Sequence, residues 1–163
     1  MKKLLLILVY ILTSMNLAQA QCDIDFAFVN TGSNMSVFFT PDAAGAIHAE
    51  LGDGTLGAFF TLDDGSLICA SSSEFNGNQI QLAVMSDDAT SDDVDGFSSG
   101  ETIIWYYQTL DGSVYQLDDF VVTPNSSGPA DVFSLNGLSF VTSSSISLID
   151  CGDGDNTSSG DQC

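Results

Sequence analysis

The sequence predicts an all-β domain, a two-sheet antiparallel sandwich of the jelly-roll or immunoglobulin-like kind with about eight to ten strands. Short runs of apolar, β-branched and aromatic residues recur along the chain, and clusters of Gly, Asp, Asn and Ser separate them, a pattern that favours an antiparallel sandwich or barrel. No stretch after the first twenty residues shows a convincing apolar period of 3.6 residues, so we expect no helix. Hydrophobic residues make up 44% of the chain, which is enough for a packed core.

The predicted strands follow from these runs in chain order. Seven runs are strong, and they are Ile24–Val29, Met35–Thr40, Ala46–Glu50, Leu56–Thr61, Leu67–Ala70, Gln79–Met85 and Thr102–Thr109. Five are weaker, and they are Ser113–Gln116, Phe120–Thr123, Val132–Leu135, Ser139–Val141 and Ile146–Ile149. Alternation places Ile80, Leu82 and Val84 on one buried face. Turns are predicted at Asp53-Gly54, Asp64-Gly65, Asn76-Gly77, Asp111-Gly112 and Asn136-Gly137.

Residues 1–20 have the three-part pattern of a secretory signal. Met1-Lys2-Lys3 is a basic start, residues 4–12 are an almost unbroken apolar run, and Ala18-Gln19-Ala20 supplies small residues before a cleavage site. The apolar run is too short to span a hydrocarbon layer of about 30 Å. Gln21 is not the small residue that a lipoprotein signal places before its cysteine. We therefore expect a secreted or cell-surface protein whose mature chain does not insert into a membrane.

The remaining chain is predicted to be one β-sandwich domain, residues 21–150, followed by an acidic tail or linker, residues 151–163. The length of the mature chain suits a single domain. The last segment is composed of Gly, Asp, Ser, Asn, Thr and Gln between its two cysteines. Such a composition is typical of a tail or linker.

The charge of the mature chain excludes several classes of partner. All 22 acids lie after residue 20, whereas the only cations, Lys2 and Lys3, leave with the signal, so the formal charge changes from −20 to −22. The acids must be solvated, hydrogen-bonded to backbone N–H groups or neutralised by metal ions. Nucleic acid and anionic membranes attract cationic side chains, so both are excluded as partners.

Four cysteines leave the disulfide pattern open. Export permits disulfides, and Cys22, Cys69, Cys151 and Cys163 allow three pairings. Cys69 lies in an apolar run, where a buried free thiol is an equal alternative. A disulfide between Cys22 and Cys151 would join the ends of the domain, and Cys163 can pair with Cys151 or outside this chain. The cysteines and the histidine form no close pair, which disfavours zinc.

The densest acidic segment predicts a calcium site. Five carboxylates fall within nine positions, and these candidate ligands are Asp87, Asp88, Asp92, Asp93 and Asp95. Calcium takes about six to eight oxygen ligands from Asp-rich loops. The segment is not an EF-hand, because its register would put Ser91 and Thr102 at the first and last ligand positions. The alternative is a solvated acidic turn, although repulsion between charges this close favours a metal.

Three consecutive aromatic residues are candidates for ligand binding. On a strand, Trp105 and Tyr107 share one face and Tyr106 lies on the other. One face must belong to the core, and an aromatic ring on the outer face could stack on a sugar. The alternative is ordinary core packing of all three rings.

We predict no catalytic residues. The only histidine is His48, no G-x-S-x-G nucleophile motif occurs, and the mature chain has no Lys or Arg to clamp a phosphate or an oxyanion. A hydrolase that uses paired carboxylates stays as a remote alternative, since acids are abundant.

Short motifs follow one another in a characteristic order from Asn30 to Ile149. They are N-T-G-S-N-M-S-V at 30–37, G-D-G-T-L-G-A-F at 52–59, D-G-S-L-I-C-A at 64–70, D-D-A-T at 87–90, D-G-F-S-S-G-E at 95–101 and F-S-L-N-G-L at 133–138. Their order resembles a module common in large secreted surface proteins of Bacteroidota, which often carry a type IX secretion signal. The resemblance implies an extracellular β-sandwich and transfers no catalytic residue. In that pattern G-D-x-I-G and C-V-G stand where this chain has G-D-G-T-L-G and C-A-S.

A further departure is that no basic sorting domain follows Cys151, so the chain is either a stand-alone module or part of a longer polypeptide. Together these features predict a secreted or cell-surface, non-catalytic adhesion or binding module. Its expected partner is a glycan or another cell-surface or matrix component, bound with the help of calcium. The first alternative is a self-assembling extracellular filament or matrix subunit, in which edge strands or a donated N-terminal segment join copies.

Overall fold

A computed structural model describes residues 24–88 and 92–149 of the chain. Within them lie seven strands and one helix, in the order β1 (Asn34–Phe39), α1 (Pro41–Leu51), β2 (Gly54–Thr61), β3 (Leu67–Phe75), β4 (Ile80–Met85), β5 (Ile104–Thr109), β6 (Val114–Val122) and β7 (Leu138–Leu148). The predicted signal, the predicted tail and Cys22, Cys151 and Cys163 lie outside the described residues. No helix in the described part is both long and apolar enough to span a membrane.

The seven strands form one mixed sheet in the order β3-β2-β5-β6-β7-β1-β4. Neighbouring strands are antiparallel except β1 and β7, which run parallel. The two edge strands, β3 and β4, follow each other in the chain and approach one another, so the sheet nearly closes into a barrel. Register shifts between β2 and β3 and between β6 and β7 add local twist that supports this curl. The predicted β-rich domain is confirmed, whereas the two-sheet sandwich is not.

Helix α1 takes the place of the predicted strand Ala46–Glu50, so the expectation of no helix was wrong. The Thr40 side chain accepts a hydrogen bond from the Ala43 N–H, Pro41 occupies the first turn, and Gly52 ends the helix with φ 75°. The buried residues are Ala43, Ala44 and Ile47. This stripe is narrow and rich in alanine, so its helical period was weak in the sequence.

The other predicted strands are mostly present. Five of the strong runs correspond to β1 through β5, whereas Ile24–Val29 belongs to no strand. Four of the weaker runs merge in pairs, giving the longer strands β6 and β7. The remaining weak run contributes a single bridge, between Val132 and Thr102.

The main core lies inside the curled sheet. Alternate residues of β1 point inward, so Met35, Val37 and Phe39 are fully buried. Leu82 and Val84 are buried as predicted, and Ile80 is half-buried at the start of β4. The largest fully buried side chains of this cluster are Trp105, Tyr107, Phe39, Phe97, Phe133 and Met35.

A second apolar cluster lies on the outer face of β2 and β3. The Phe26 ring meets the Phe59 ring edge to face, with centroids 5.2 Å apart. A Cβ at Gly57 would lie 2.8 Å from the Phe26 ring, so only glycine leaves room for it. Cys69 is opposite Phe59 on the neighbouring strand and is a buried free thiol.

Gly77 combines a left-handed backbone with close packing, and its replacement gives a first prediction. Its φ is +79°, and a Cβ there would lie 2.7 Å from the His48 ring. We expect Gly77→Ala to lower the free energy of unfolding by about 1–3 kcal/mol, measured by urea denaturation. Gly65→Ala is the matched control, because its φ of +87° is similar but nothing lies within 4 Å. Equal losses for the two variants would contradict the packing argument.

Candidate functional site

The acidic segment forms a loop whose two ends are joined at a neck. The Asp87 N–H donates to the Phe97 carbonyl at 3.0 Å, and the Phe97 N–H donates to the Met85 carbonyl at 3.0 Å. Gly96 approaches the backbone of Ser86 so closely that a Cβ would lie 2.3 Å from its carbonyl carbon. The Phe97 ring is buried and stacks on Phe133, with centroids 5.2 Å apart. The neck is therefore pinned to the core.

The five predicted metal ligands lie on this loop, from Asp87 at one side of the neck to Asp95 near the other. Asp87, Asp92 and Asp93 are exposed, whereas Asp88 and Asp95 are half-buried. One carboxylate oxygen of Asp87 accepts a hydrogen bond from the Asp95 N–H at 3.3 Å, which draws the two ends of the acidic run together. Residues 89–91 lie outside the described part.

Carboxylate oxygens are the ligands that calcium prefers, so the donor chemistry of the loop fits that ion. In residues 24–88 and 92–149, however, no group of three or more His, Cys, Asp or Glu side chains lies close enough to hold a metal ion. The loop supplies suitable donors without bringing them to one point. Calcium binding therefore stays a prediction for this segment.

The acidic loop is part of a larger acidic end of the barrel, formed by the three connections at the end of the sheet where β1 begins. These connections are residues 62–66, 86–103 and 123–137. They carry nine of the 22 acids, which are Asp63, Asp64, Asp87, Asp88, Asp92, Asp93, Asp95, Glu101 and Asp131. The fold thus concentrates negative charge at one end of the sheet, and the described residues contain no Lys or Arg to offset it.

Two acids of this end serve the local backbone. Glu101 accepts a hydrogen bond from the Ser98 N–H at 2.8 Å, which closes the turn after the neck. Asp64 accepts one from the Ser66 N–H at 2.9 Å, and this bond lowers the pKa of the Asp64 carboxyl. Such bonds stabilise ionised carboxylates in a domain whose described residues include no Lys or Arg.

The predicted ligand-binding role of Trp105 and Tyr107 is wrong. Both side chains are 0% exposed and face the core, as their shared strand face allowed. The Trp105 Nε1–H donates to the Ala130 carbonyl at 2.9 Å, and the Tyr107 hydroxyl donates to the Gly52 carbonyl. These rings satisfy their polar atoms inside the domain and present no face to a sugar.

Tyr106 lies on the outer face of the sheet, so its binding role stays a prediction. Its ring is half-buried beside Phe59, with centroids 5.4 Å apart. Gln116 is its register partner on β6, and the Gln116 amide donates to Asp118 at 2.9 Å. Burial and the charge of Asp118 both raise the pKa of the Tyr106 hydroxyl. The result is an aromatic ring beside an amide and a carboxylate, a combination suited to a sugar.

His48 lies in the last turn of α1 rather than on a strand. Its Nε2 is 2.9 Å from an Asp53 carboxylate oxygen, and its ring packs against Gly77. Both side chains of the pair are substantially exposed. The contacts tie the end of the helix to the start of β2 and to the turn between β3 and β4.

Sequence reasoning missed a second aromatic pair on the outer surface. Phe38 and Phe140 are register partners on β1 and β7, and their rings stack with centroids 5.0 Å apart. Both are half-buried. The alternation of buried and half-buried residues in β1 could have placed Phe38 outside, but its pairing with Phe140 depends on the parallel contact between two distant strands.

Two groups predict how stability responds to alkaline pH. Burial raises the pKa of the Cys69 thiol to about 11, and burial with the nearby charge of Asp53 raises that of Tyr107 to about 12. The folded state holds both protons more tightly than the unfolded state, so unfolding becomes easier as pH rises from about 9 to 12. We expect Cys69→Ala and Tyr107→Phe together to flatten that decline in thermal melts. An unchanged slope would contradict this assignment.

Comparison with known proteins adds no relatives. No family model matches the chain, and neither the curated proteins nor the solved structures contain a significant match.

Proposed function

We propose that this chain is a secreted or cell-surface binding module without catalytic activity, whose acidic end binds calcium and whose outer face binds glycan. The observation that carries the proposal is the concentration of nine acids in three neighbouring connections of a chain whose only Lys and Arg residues, Lys2 and Lys3, lie in the predicted signal. Like charges this close repel one another, and a divalent cation relieves the repulsion. Fixing the loop neck to the core at Phe97 reduces the cost of ordering such a site.

Glycan is the proposed ligand because of the surroundings of Tyr106. Ligand sites combine an aromatic surface with a few placed polar groups. Tyr106 supplies the ring, and Gln116 and Asp118 supply an amide and a carboxylate beside it. A neutral sugar would also avoid the repulsion that an acidic ligand meets on a surface of this charge.

A non-catalytic role is favoured by the surroundings of His48. The described contacts of the imidazole are with Asp53 and Gly77, at a junction of helix, strand and turn. Those contacts account for the residue as a structural tie. The sequence also lacks the nucleophile motif that would give this histidine a catalytic partner.

Calcium dependence is tested by thermal melts of the mature protein in calcium and in chelator. At a calcium concentration one hundred times Kd, we expect a stabilisation of about 2.7 kcal/mol. The double variant Asp92→Asn/Asp93→Asn should abolish this gain. The matched control Asp118→Asn/Asp119→Asn removes the same charge from β6 and should retain it. A wild-type melting temperature that does not change with calcium would overturn the calcium site. So would a calcium-dependent stabilisation that is still present in Asp92→Asn/Asp93→Asn.

Glycan binding is tested on an array of neutral polysaccharides with Tyr106→Ala. We expect this variant to bind about fivefold more weakly, since stacking on one ring contributes on the order of 1 kcal/mol. Phe140→Ala is the control, because it removes a half-buried ring from a different part of the outer face. Binding that depends on Phe140 instead of Tyr106 would move the site, and no binding by the wild type would reject the glycan.

A further inference from the structure

The N-terminal strap, residues 24–33, is fastened to the barrel at two places. At the first, the Ser72 hydroxyl donates to the Phe26 carbonyl at 2.7 Å while the Phe26 ring packs on Phe59. At the second, the Thr31 hydroxyl donates to the Ser86 carbonyl at 2.7 Å, and the Ser86 N–H donates to the Ser33 carbonyl at 2.9 Å. The first anchor lies on β2 and β3 and the second at the end of β4. The strap therefore links the two edges of the open sheet.

The strap between these anchors is exposed and does not belong to the sheet. Residues 27–30 are all exposed, and Phe28 and Val29 show 40% and 55% of their surface to solvent. The Asp25 carboxylate accepts from the Ala27 N–H, and the Asn30 side chain accepts from the Gly32 N–H. Both hydrogen bonds join residues of the strap itself, so a displacement of the strap would not break them. The segment can thus leave its groove without breaking any strand pairing.

The groove that holds Phe26 is shaped for an aromatic side chain on an extended segment. Gly57 forms its floor, where a Cβ would meet the Phe26 ring at 2.8 Å, Phe59 lines it, and Tyr106 is the register partner of Gly57 on β5. Ser72 supplies one hydroxyl donor to the backbone of the segment. The structure therefore shows which side chain the groove accommodates, namely the ring of Phe26.

We propose that two copies of this chain exchange the part of the strap that precedes residue 27, each groove receiving Phe26 of the other copy, while the second anchor stays within its own copy. A second copy presents the same segment, so the contacts in the exchanged and unexchanged forms are the same. Exchange of an identical element is a low-cost route to a dimer, opposed mainly by the entropy of association. Residues 27–30 act as the hinge loop, because they are exposed and lie between the two anchors.

Charge makes the exchange depend on salt. The second anchor lies at Ser86, directly before the acidic loop, so exchange brings two acidic ends near each other. Their repulsion reaches about 30 Å at 0.01 M salt and about 8 Å at 0.15 M. We expect monomers at low salt and a dimer fraction that rises at least fivefold by 0.5 M sodium chloride at the same protein concentration.

The test is an isotope-filtered NOE experiment on a 1:1 mixture of labelled and unlabelled mature wild-type chains at 0.5 M salt. Cross-peaks between Phe26 of one chain and Phe59 of the other are the expected result. A protein that stays monomeric at every salt and at millimolar concentration overturns the proposal. A dimer without these interchain cross-peaks overturns it as well, because another surface then holds the copies.

Two complementary variants provide a second measurement by light scattering. Phe26→Ala removes the aromatic plug and leaves the groove open, whereas Gly57→Ala blocks the groove and keeps the plug. Each should be monomeric alone, and the mixture should form a 1:1 dimer. A mixture that stays monomeric while the wild type dimerises contradicts strap exchange. The proposal does not depend on calcium or glycan binding, so its failure would leave the proposed function standing.

Discussion

Replacing Trp105 by alanine is expected to lower the free energy of unfolding by about 3–5 kcal/mol. The side chain has no exposed surface, and its ring packs against Phe39 and Phe120 with centroids 5.4 Å and 6.2 Å away. Its Nε1–H donates to the carbonyl of Ala130. The variant thus leaves a large cavity and removes a buried hydrogen bond, and a domain stable by about 5–15 kcal/mol would lose much of its margin. Urea denaturation measures the loss.

Two control variants make this result interpretable. Trp105→Phe keeps part of the ring volume and should cost less than the alanine change, chiefly through the lost hydrogen bond and a smaller cavity. Leu110→Ala, at a residue 84% exposed, should stay within about 0.5 kcal/mol of wild type. A loss below about 1 kcal/mol for Trp105→Ala would place this ring outside the core and restore it as a candidate for sugar binding.

Replacing Phe97 by alanine is expected to have a comparable cost, about 3–5 kcal/mol, and to loosen the acidic loop as well. Phe97 is buried, stacks on Phe133 and contacts Phe60 at a centroid distance of 5.2 Å. Its backbone also makes both hydrogen bonds of the neck. Removing the ring should therefore raise the amide exchange rates of Asp87 and Phe97 more than those of β1.

Val94→Ala is the control for this second prediction. Val94 lies in the same loop but is 52% exposed, so its truncation should change stability by no more than about 0.5 kcal/mol and leave the neck amides protected. If Phe97→Ala lowered stability while the amides of Asp87 and Phe97 stayed as protected as in the wild type, the neck would be held by something other than Phe97.

The strands of this fold could largely be predicted from local patterns, whereas their arrangement could not. The alternation in 80–84 identified β4, since period-two burial is recorded in a few consecutive residues. The strand order depends on contacts such as the parallel pairing of Ser36 with Leu138, about one hundred positions apart, which leave no local signal. Helix α1 was missed although its signals were present, with Thr40 and Pro41 before it and Gly52 after it.

The candidate site was predictable in position and less so in detail. The acidic loop follows β4 as the sequence indicated, because five close carboxylates are seldom compatible with a strand interior. The two-residue period correctly assigned Trp105 and Tyr107 to one face of the strand and Tyr106 to the other. Which of the two faces belongs to the core could not be predicted, because it depends on the direction in which the sheet curls. The groove under Phe26 joins three stretches distant in sequence, so only the structure brings it into view.

The most direct test of the proposed function is a calcium titration of the mature protein followed by ¹H–¹⁵N NMR spectra. We expect saturable shifts for the amides of residues 86–97, centred on Asp92, Asp93 and Asp95, with magnesium far less effective. The amides near Asp118 and Asp119 on β6 should move little. Spectra that do not change with calcium, or shifts spread equally over all acidic surfaces, would contradict calcium binding at the acidic end.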